Sequence, residues 1–284
     1  MDAQLAAALL SPPVLGLLGL CIGSFLNVVI HRLPLMMERD WKTESAELLG
    51  VEIDTPAPIT LSTPRSRCPS CAHPIGWQEN IPVVSYIALR GRCSACKTPI
   101  PMRYPAIELL TAVLFAACGW HFGPHPVTLL WCGLSATLVA LAFIDLDTQF
   151  LPDDLTLPLM WAGIVSSALG WTPVPLAASV GGAVAGYLSL WFVFHAYRLI
   201  RGKEGIGAGD FKLLAALGAW MGWALIPSII LLSSAVGALV GIGLIVLRSH
   251  DKDVPIPFGP YLAGGGIAAL FFGEQLTHLW LPPI

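Results

Sequence analysis

Apolar residues in this chain come in runs long enough to cross a lipid bilayer, and that constrains the fold more than any other feature. A membrane-spanning helix needs about 20 mostly apolar residues, roughly 17–25. Eight stretches come close to or reach that length: about 8–30, 104–122, 127–144, 154–171, 174–199, 211–226, 227–247 and 258–280. The last two before 258 read as one continuous run. A single helix of that length would overshoot the hydrocarbon layer, so a break is expected near Pro227. Charged residues make up only 12% of the 284 residues and hydrophobic residues 55%, whereas soluble domains carry about 25% charged residues. Such a chain cannot cover itself with a water-compatible surface. This excludes an ordinary soluble enzyme, a disordered protein and a nucleic-acid binder with a broad basic face. The fold class expected is an all-α polytopic membrane protein of about eight transmembrane helices.

The basic residues test this layout. Nine of the fifteen Lys and Arg lie between Arg32 and Arg103, and the rest are Arg198, Arg201, Lys203, Lys212, Arg248 and Lys252. With eight spans and the N-terminus outside, all fifteen fall on one side, which the positive-inside rule makes the cytoplasm. The first apolar run has no basic residues before it, carries Asp2, and is followed by His31-Arg32. That order suits an uncleaved anchor rather than a signal peptide. The expected organisation is a first transmembrane helix over 1–34, a cytoplasmic insert over 35–103 and a membrane region over 104–284. Within the insert, 38–60 is acid-rich and 64–103 is basic. Small-residue spacings such as Gly182…Gly186 and Gly237…Gly241 suit close helix packing in lipid, although a plain glycine-rich helix accounts for them equally.

The insert carries two CxxC pairs, Cys68-Pro-Ser-Cys71 and Cys93-Ser-Ala-Cys96, with 21 residues between them. Two such knuckles at about this separation let four thiolates meet as a tetrahedron around Zn²⁺. Each knuckle is followed by a similar turn, Ala72-His73-Pro74-Ile75 and Lys97-Thr98-Pro99-Ile100. Arg67, Arg92 and Lys97 would offset the charge of a Cys₄ centre. Two redox-active pairs are the alternative. A Cys₄ site is closed, so the metal expected is structural. Cys21, Cys118 and Cys132 lie in apolar runs and read as small buried hydrophobes.

Ionisable residues at membrane depth are costly and mark function by default. The third apolar run ends in Phe143-Ile144-Asp145-Leu146-Asp147 and is followed by Leu151-Pro152-Asp153-Asp154. The sixth begins at Gly205-Ile206-Gly207-Ala208-Gly209-Asp210-Phe211-Lys212. In the eight-span layout both lie at the cytoplasmic edge. Alone, each acid reads as a helix cap. Together they suggest an aspartic-protease dyad sharing one proton, one carboxylate activating a water and the other carboxyl polarising the scissile carbonyl.

The chain also resembles a known family, the prepilin peptidases, which are the bifunctional type IV leader peptidase/N-methyltransferases of bacterial inner membranes. The resemblance follows nearly the whole chain in order. It runs from Gly23-Ser24-Phe25-Leu26-Asn27 through His31-Arg32-Leu33-Pro34, the two cysteine pairs, Asn80-Ile81-Pro82, Leu89-Arg90-Gly91-Arg92 and Arg103-Tyr104-Pro105. Ile144-Asp145, Leu151-Pro152-Asp153, Gly207-Ala208-Gly209-Asp210-Phe211-Lys212 and Pro257-Phe258-Gly259-Pro260 complete it.

The resemblance implies Asp145 and Asp210 as the catalytic pair, Asp145 being favoured over Asp147 by its distance from Pro152. It implies Gly207, Gly209, Asp147 and Lys212 as supporting residues, and Cys68, Cys71, Cys93 and Cys96 as zinc ligands in an insert tied to methyl transfer. The implied substrates are type IV prepilins and type II secretion pseudopilins, cut after a leader glycine and then N-methylated with S-adenosylmethionine. Lipid is the implied surrounding and nucleic acid is not a partner. No GxGxxG fingerprint marks where the methyl donor binds. Asp147, Asp153 and Asp154 are expected to attract the basic leader. A zinc metalloprotease would need an open coordination position, which four thiolates deny. A non-enzymatic zinc-ribbon transporter or scaffold is the remaining alternative, but transport acids are expected near mid-bilayer.

Overall fold

A computed structural model describes residues 3–51, 58–202, 207–248 and 256–278. Glu52 and Asp54 of the acid-rich stretch, Lys203, Gly205, Lys252 and the last two residues of the 258–280 run lie outside the described residues. The described chain is helical, and its only bridges are two isolated antiparallel pairs around the cysteines. The helices are α1 (Ala3–Leu9), α2 (Pro12–Leu49), α3 (Val84–Ala88), α4 (Arg103–Phe122), α5 (Thr128–Thr148), α6 (Asp153–Ala168), α7 (Leu176–Arg201), α8 (Ala208–Met221), α9 (Ile226–Arg248) and α10 (Gly259–Thr277).

Each expected apolar stretch coincides with one helix, but among the described residues five segments are long and apolar enough to cross a membrane: Pro12–Leu49, Arg103–Phe122, Thr128–Thr148, Leu176–Arg201 and Trp223–Leu244. α6 has 16 residues and α8 has 14, about 24 and 21 Å at 1.5 Å per residue, short of the ~30 Å hydrocarbon layer. α8 is apolar all round because it is enclosed by protein: Phe211, Leu213 to Leu217, Ala219 and Trp220 are all buried. The expected break near Pro227 falls earlier. α8 stops at Gly222, whose φ of 78° suits glycine, and Pro227 sits in the first turn of α9, where no amide is lost.

Two compact units divide at Ala136/Thr137. In the first, α2 does not end at residue 34. It runs through Pro34 for 38 residues, about 57 Å, and stops at Gly50, whose αL backbone donates to the Ala46 and Glu47 carbonyls. The first half of the acid-rich stretch is therefore a helix, with Glu38 and Lys42 paired at 2.6 Å. α4, which opens the membrane region expected over 104–284, packs along α2. A Cβ on Gly19 would stand 2.7 Å from the Ala112 Cα, and one on Gly23 2.7 Å from the Glu108 Cα. Bare glycines are what allow two backbones this close. Cys118 and Cys132 are buried as expected, whereas Cys21 is exposed on the outer face of α2, since an apolar residue in a span can face lipid as well as protein.

In the second unit α8 is the hub. Gly182 and Gly186 of α7 meet it so closely that a Cβ on Gly182 would strike the Gly218 carbonyl. Ser179 donates to the Ala219 carbonyl at 2.6 Å, and Trp220 Nε1 donates to the Leu159 carbonyl of α6 at 2.8 Å. These bonds satisfy polar atoms that lipid could not. Gly237 of α9 faces the Tyr261 ring of α10, and Ser233 donates to the Tyr261 carbonyl at 2.9 Å.

Candidate active site and cysteine cluster

The cysteine cluster belongs to the first unit and is two copies of one turn. Cys68 N–H donates to the His73 carbonyl and Cys93 N–H to the Thr98 carbonyl, both at 2.9 Å. Ala72 N–H closes back on the Cys68 carbonyl and Lys97 N–H on the Cys93 carbonyl. Ala72 and Lys97 both have positive φ, 59° and 63°, which turns the chain tightly enough to return a second sulfur beside the first. Arg67 bridges to Pro74 as Arg92 does to Pro99. The result brings all four sulfurs within 4.8 Å of one another. Cys68 to Cys96 is 3.8 Å and Cys71 to Cys93 is 4.0 Å. A tetrahedron with metal–sulfur bonds of about 2.3 Å has edges of about 3.8 Å. The four cysteines are thus placed to hold a metal ion.

Backbone amides of Cys71 and Ser70 lower the Cys68 thiol, and Thr98, whose hydroxyl lies 3.2 Å from the Cys96 sulfur, holds Cys96 down to about 6. The His73 amide favours the Cys71 thiolate, but desolvation and the neighbouring sulfurs push Cys71 up to about 12. Crowded sulfurs of this kind ionise together only with a cation among them.

The second constellation is built from residues far apart in the second unit. Asp145 sits in the last turn of α5, 5% exposed, while Asp147 on the other face is exposed to solvent. Beyond it, Gln149 adopts φ 54° and donates to the Asp145 carbonyl at 2.8 Å. That left-handed residue ends the helix and turns Leu151 back beneath it. Asp210 lies in the first turn of α8, 6% exposed, and accepts the Gly207 N–H at 3.2 Å. Asp145 is near enough to act electrostatically on Asp210. Buried Leu151 packs against the backbone beside each of them: a Cβ on Gly209 would lie 2.7 Å from the Leu151 Cβ, and one on Gly259 3.2 Å from its Cδ2. Gly209 is therefore fixed by Leu151, and Gly207 by its bond to Asp210.

Lys212, two residues past Asp210, grips both oxygens of Asp153 at 2.7 Å and so clamps the start of α8 to the start of α6. Of the three acids expected to attract a basic leader, Asp153 is thus the one paired with a lysine. The exposed members of that acidic set are Asp147 and Asp154. Two residues of consequence were not anticipated. Gly259 donates its N–H to Asp145 Oδ2 at 2.9 Å. Glu108 of α4, 8% exposed, accepts the Val83 N–H at 2.7 Å and ties the insert to the helix pair beneath it. A carboxylate in an apolar run was the signal for Glu108. The Pro257-Phe258-Gly259-Pro260 segment was visible in the sequence, but without a role.

Comparison with known proteins agrees with this division. Residues 17–122 match the bacterial peptidase A24 N-terminal domain, and residues 132–242 match the type IV leader peptidase family. A prepilin leader peptidase/N-methyltransferase of Aeromonas hydrophila is 54% identical over 268 residues, covering 93% of this chain and 92% of the relative. The chain belongs to the type IV leader peptidase family. Proteins of the same name from Pseudomonas aeruginosa and Burkholderia pseudomallei are each 52% identical, over 93% and 92% of this chain and 91% and 85% of the relatives. No solved structure matches the chain.

Proposed function

We propose that this chain is a bifunctional enzyme of the bacterial inner membrane. It removes the basic leader from type IV prepilins and type II secretion pseudopilins, then methylates the new N-terminus. The observation that carries the reading is the pair of buried carboxyls, Asp145 and Asp210, brought from the end of one helix and the start of another near enough to act on each other electrostatically. Two carboxyls in one enclosed site share a proton because both cannot be charged together. In the proposed reaction the ionised member takes a proton from a water molecule. The water oxygen attacks the scissile carbonyl, while the protonated member donates to the carbonyl oxygen. Collapse of the tetrahedral intermediate returns a proton to the leaving amine. The pair titrates as a unit.

The leader lies on the same side as the basic residues, in the proposed orientation with the N-terminus periplasmic. There the bundle's lipid-facing surface would receive the substrate's own transmembrane segment. The relatives' name also covers methylation, and the family match assigns 17–122 to its N-terminal domain. We place methyl transfer with the 35–103 insert and cleavage with 104–284. Zn²⁺ is the metal proposed for Cys68, Cys71, Cys93 and Cys96. With all four positions taken by sulfur it cross-links the two knuckles and leaves none open for chemistry.

S-adenosylmethionine is the proposed methyl donor. Among the described residues, a cleft of about 560 Å³ runs along the last turns of α2, lined by Glu38, Trp41, Lys42, Ser45, Ala46, Leu49 and Val51. Its one acid, Glu38, is paired with Lys42 at 2.6 Å. No residue is assigned to the donor and no step is derived through it.

The deciding experiment is the mass of a prepilin N-terminus before and after incubation with the purified protein and S-adenosylmethionine. The reading predicts loss of the leader followed by gain of one methyl group. An unchanged substrate mass rules it out.

A further inference from the structure

We infer that Gly259 is a positioning residue of the peptidase site, its backbone N–H holding Asp145 in the orientation that cleavage requires. The inference rests on the reading of Asp145 as one of the two catalytic carboxyls. The first turn of any α-helix leaves amide N–H groups without partners inside the helix. In α10 these can be followed one by one. Tyr261 and Leu262 both donate to the Phe258 carbonyl at 3.1 Å. Pro260 has no N–H to give. That leaves the N–H of Gly259, which points across 114 positions of chain to Asp145 Oδ2, at 2.9 Å and buried. The proline beside it removes the nearest competing donor, so the helix start presents one directed hydrogen bond to one carboxylate oxygen.

Sterics point the same way. A Cβ on Gly259 would lie 2.7 Å from Asp145 Oδ2, 3.1 Å from its Cγ and 3.2 Å from Leu151 Cδ2. The residue that donates to the carboxyl must therefore also lack a side chain, because any side chain would displace the carboxyl it positions. Leu151 transmits the constraint, since its other side meets Gly209, the neighbour of Asp210. Gly259, Asp145, Leu151, Gly209 and Asp210 form one continuous packed set. A change at Gly259 therefore acts on Asp145 directly and on the backbone beside Asp210 through Leu151.

The test measures kcat and KM for prepilin cleavage by the full-length protein in proteoliposomes, together with its thermal unfolding. G259A should lower kcat about 100-fold, the usual consequence of misplacing a reacting group by roughly 1 Å, with KM within about twofold of wild type. N-methylation of an already cleaved pilin should be retained. An ester in place of the 258–259 amide deletes the donor and adds no atom, and should lower kcat about 10-fold. G265A is the comparison for packing alone, because it lies on the same helix as Gly259 but its Cβ would meet Ser233 and Ile229 of α9. It should lower the unfolding temperature while leaving kcat per folded enzyme near wild type.

The inference is overturned if wild type cleaves and G259A cleaves with an unchanged kcat. It is equally overturned if G259A loses cleavage and methylation together, in step with its folded fraction. If wild type itself fails to cleave, the reading of the dyad fails first.

Discussion

The cysteine cluster and the aspartate site solve the same problem, gathering reactive side chains, by opposite means. The cysteines meet through short-range geometry: two copies of one turn, each with a residue at positive φ after its second cysteine, bring together sulfurs 22 and 28 positions apart. The aspartates meet only when whole helices have packed, and one of the bonds that orients them spans 114 positions. A site made of local turns is written into residue spacing and tolerates change around it. A site made by helix packing depends on glycines and apolar side chains with no chemistry of their own. Perturbing the helices should therefore damage cleavage, whereas perturbing the knuckles should damage the insert and leave the dyad intact.

The largest effect expected is on the dyad. D145N and D210N should each reduce prepilin cleavage by at least ~10³-fold, and the double variant should be little worse, since groups acting as a unit are not additive. Methylation of a pre-cleaved pilin should persist in both. Next in size is the α7–α8 contact. G182A forces a Cβ into the Gly218 carbonyl and should cost about 1–3 kcal/mol, read as a lower unfolding temperature with methylation and cleavage falling together.

Metal removal tests the other side of the comparison. A chelator, or a paired change of Cys68 and Cys93 to Ser, should make the 64–100 segment sensitive to protease and abolish methylation, with cleavage held within a few-fold. Loss of cleavage first would show that the cluster supports the whole protein. E108Q alters the side chain that accepts the Val83 amide hydrogen. It should loosen the insert by about 1–2 kcal/mol, within the range for such bonds, visible as faster amide exchange around 83. The smallest effect belongs to Lys212 and Asp153. Their side chains are 30% and 48% exposed, so a double-mutant cycle on stability should return no more than about 1 kcal/mol.

These two regions also differ in how far the sequence alone revealed them. CxxC spacing with matching Pro-Ile turns was enough to place four sulfurs together, because every determinant lies within a few residues of the cysteine it serves. Asp145 and Asp210 stood out as acids at the ends of apolar runs. Their proximity came from the eight-helix layout and the family resemblance, not from any local pattern. The segment holding Gly259 was visible in the resemblance, but the role of Gly259 was not, since it rests on a backbone amide and a missing side chain. Helix existence followed from hydropathy, but helix ends did not. α2 continues past Pro34 because nothing in the polar residues beyond it disfavours a helix. α8 ends at Gly222 because φ there is positive. Hydropathy also could not distinguish α8, which is apolar because protein surrounds it, from a helix that meets lipid.

The most direct test of the central claim is single-turnover cleavage of a prepilin by wild type, D145N and D210N, each shown to be folded by its retained methylation of a pre-cleaved pilin. The account predicts leader release by wild type alone, with both variants silent in cleavage yet active in methylation. Leader release at the wild-type rate by either folded variant would contradict it.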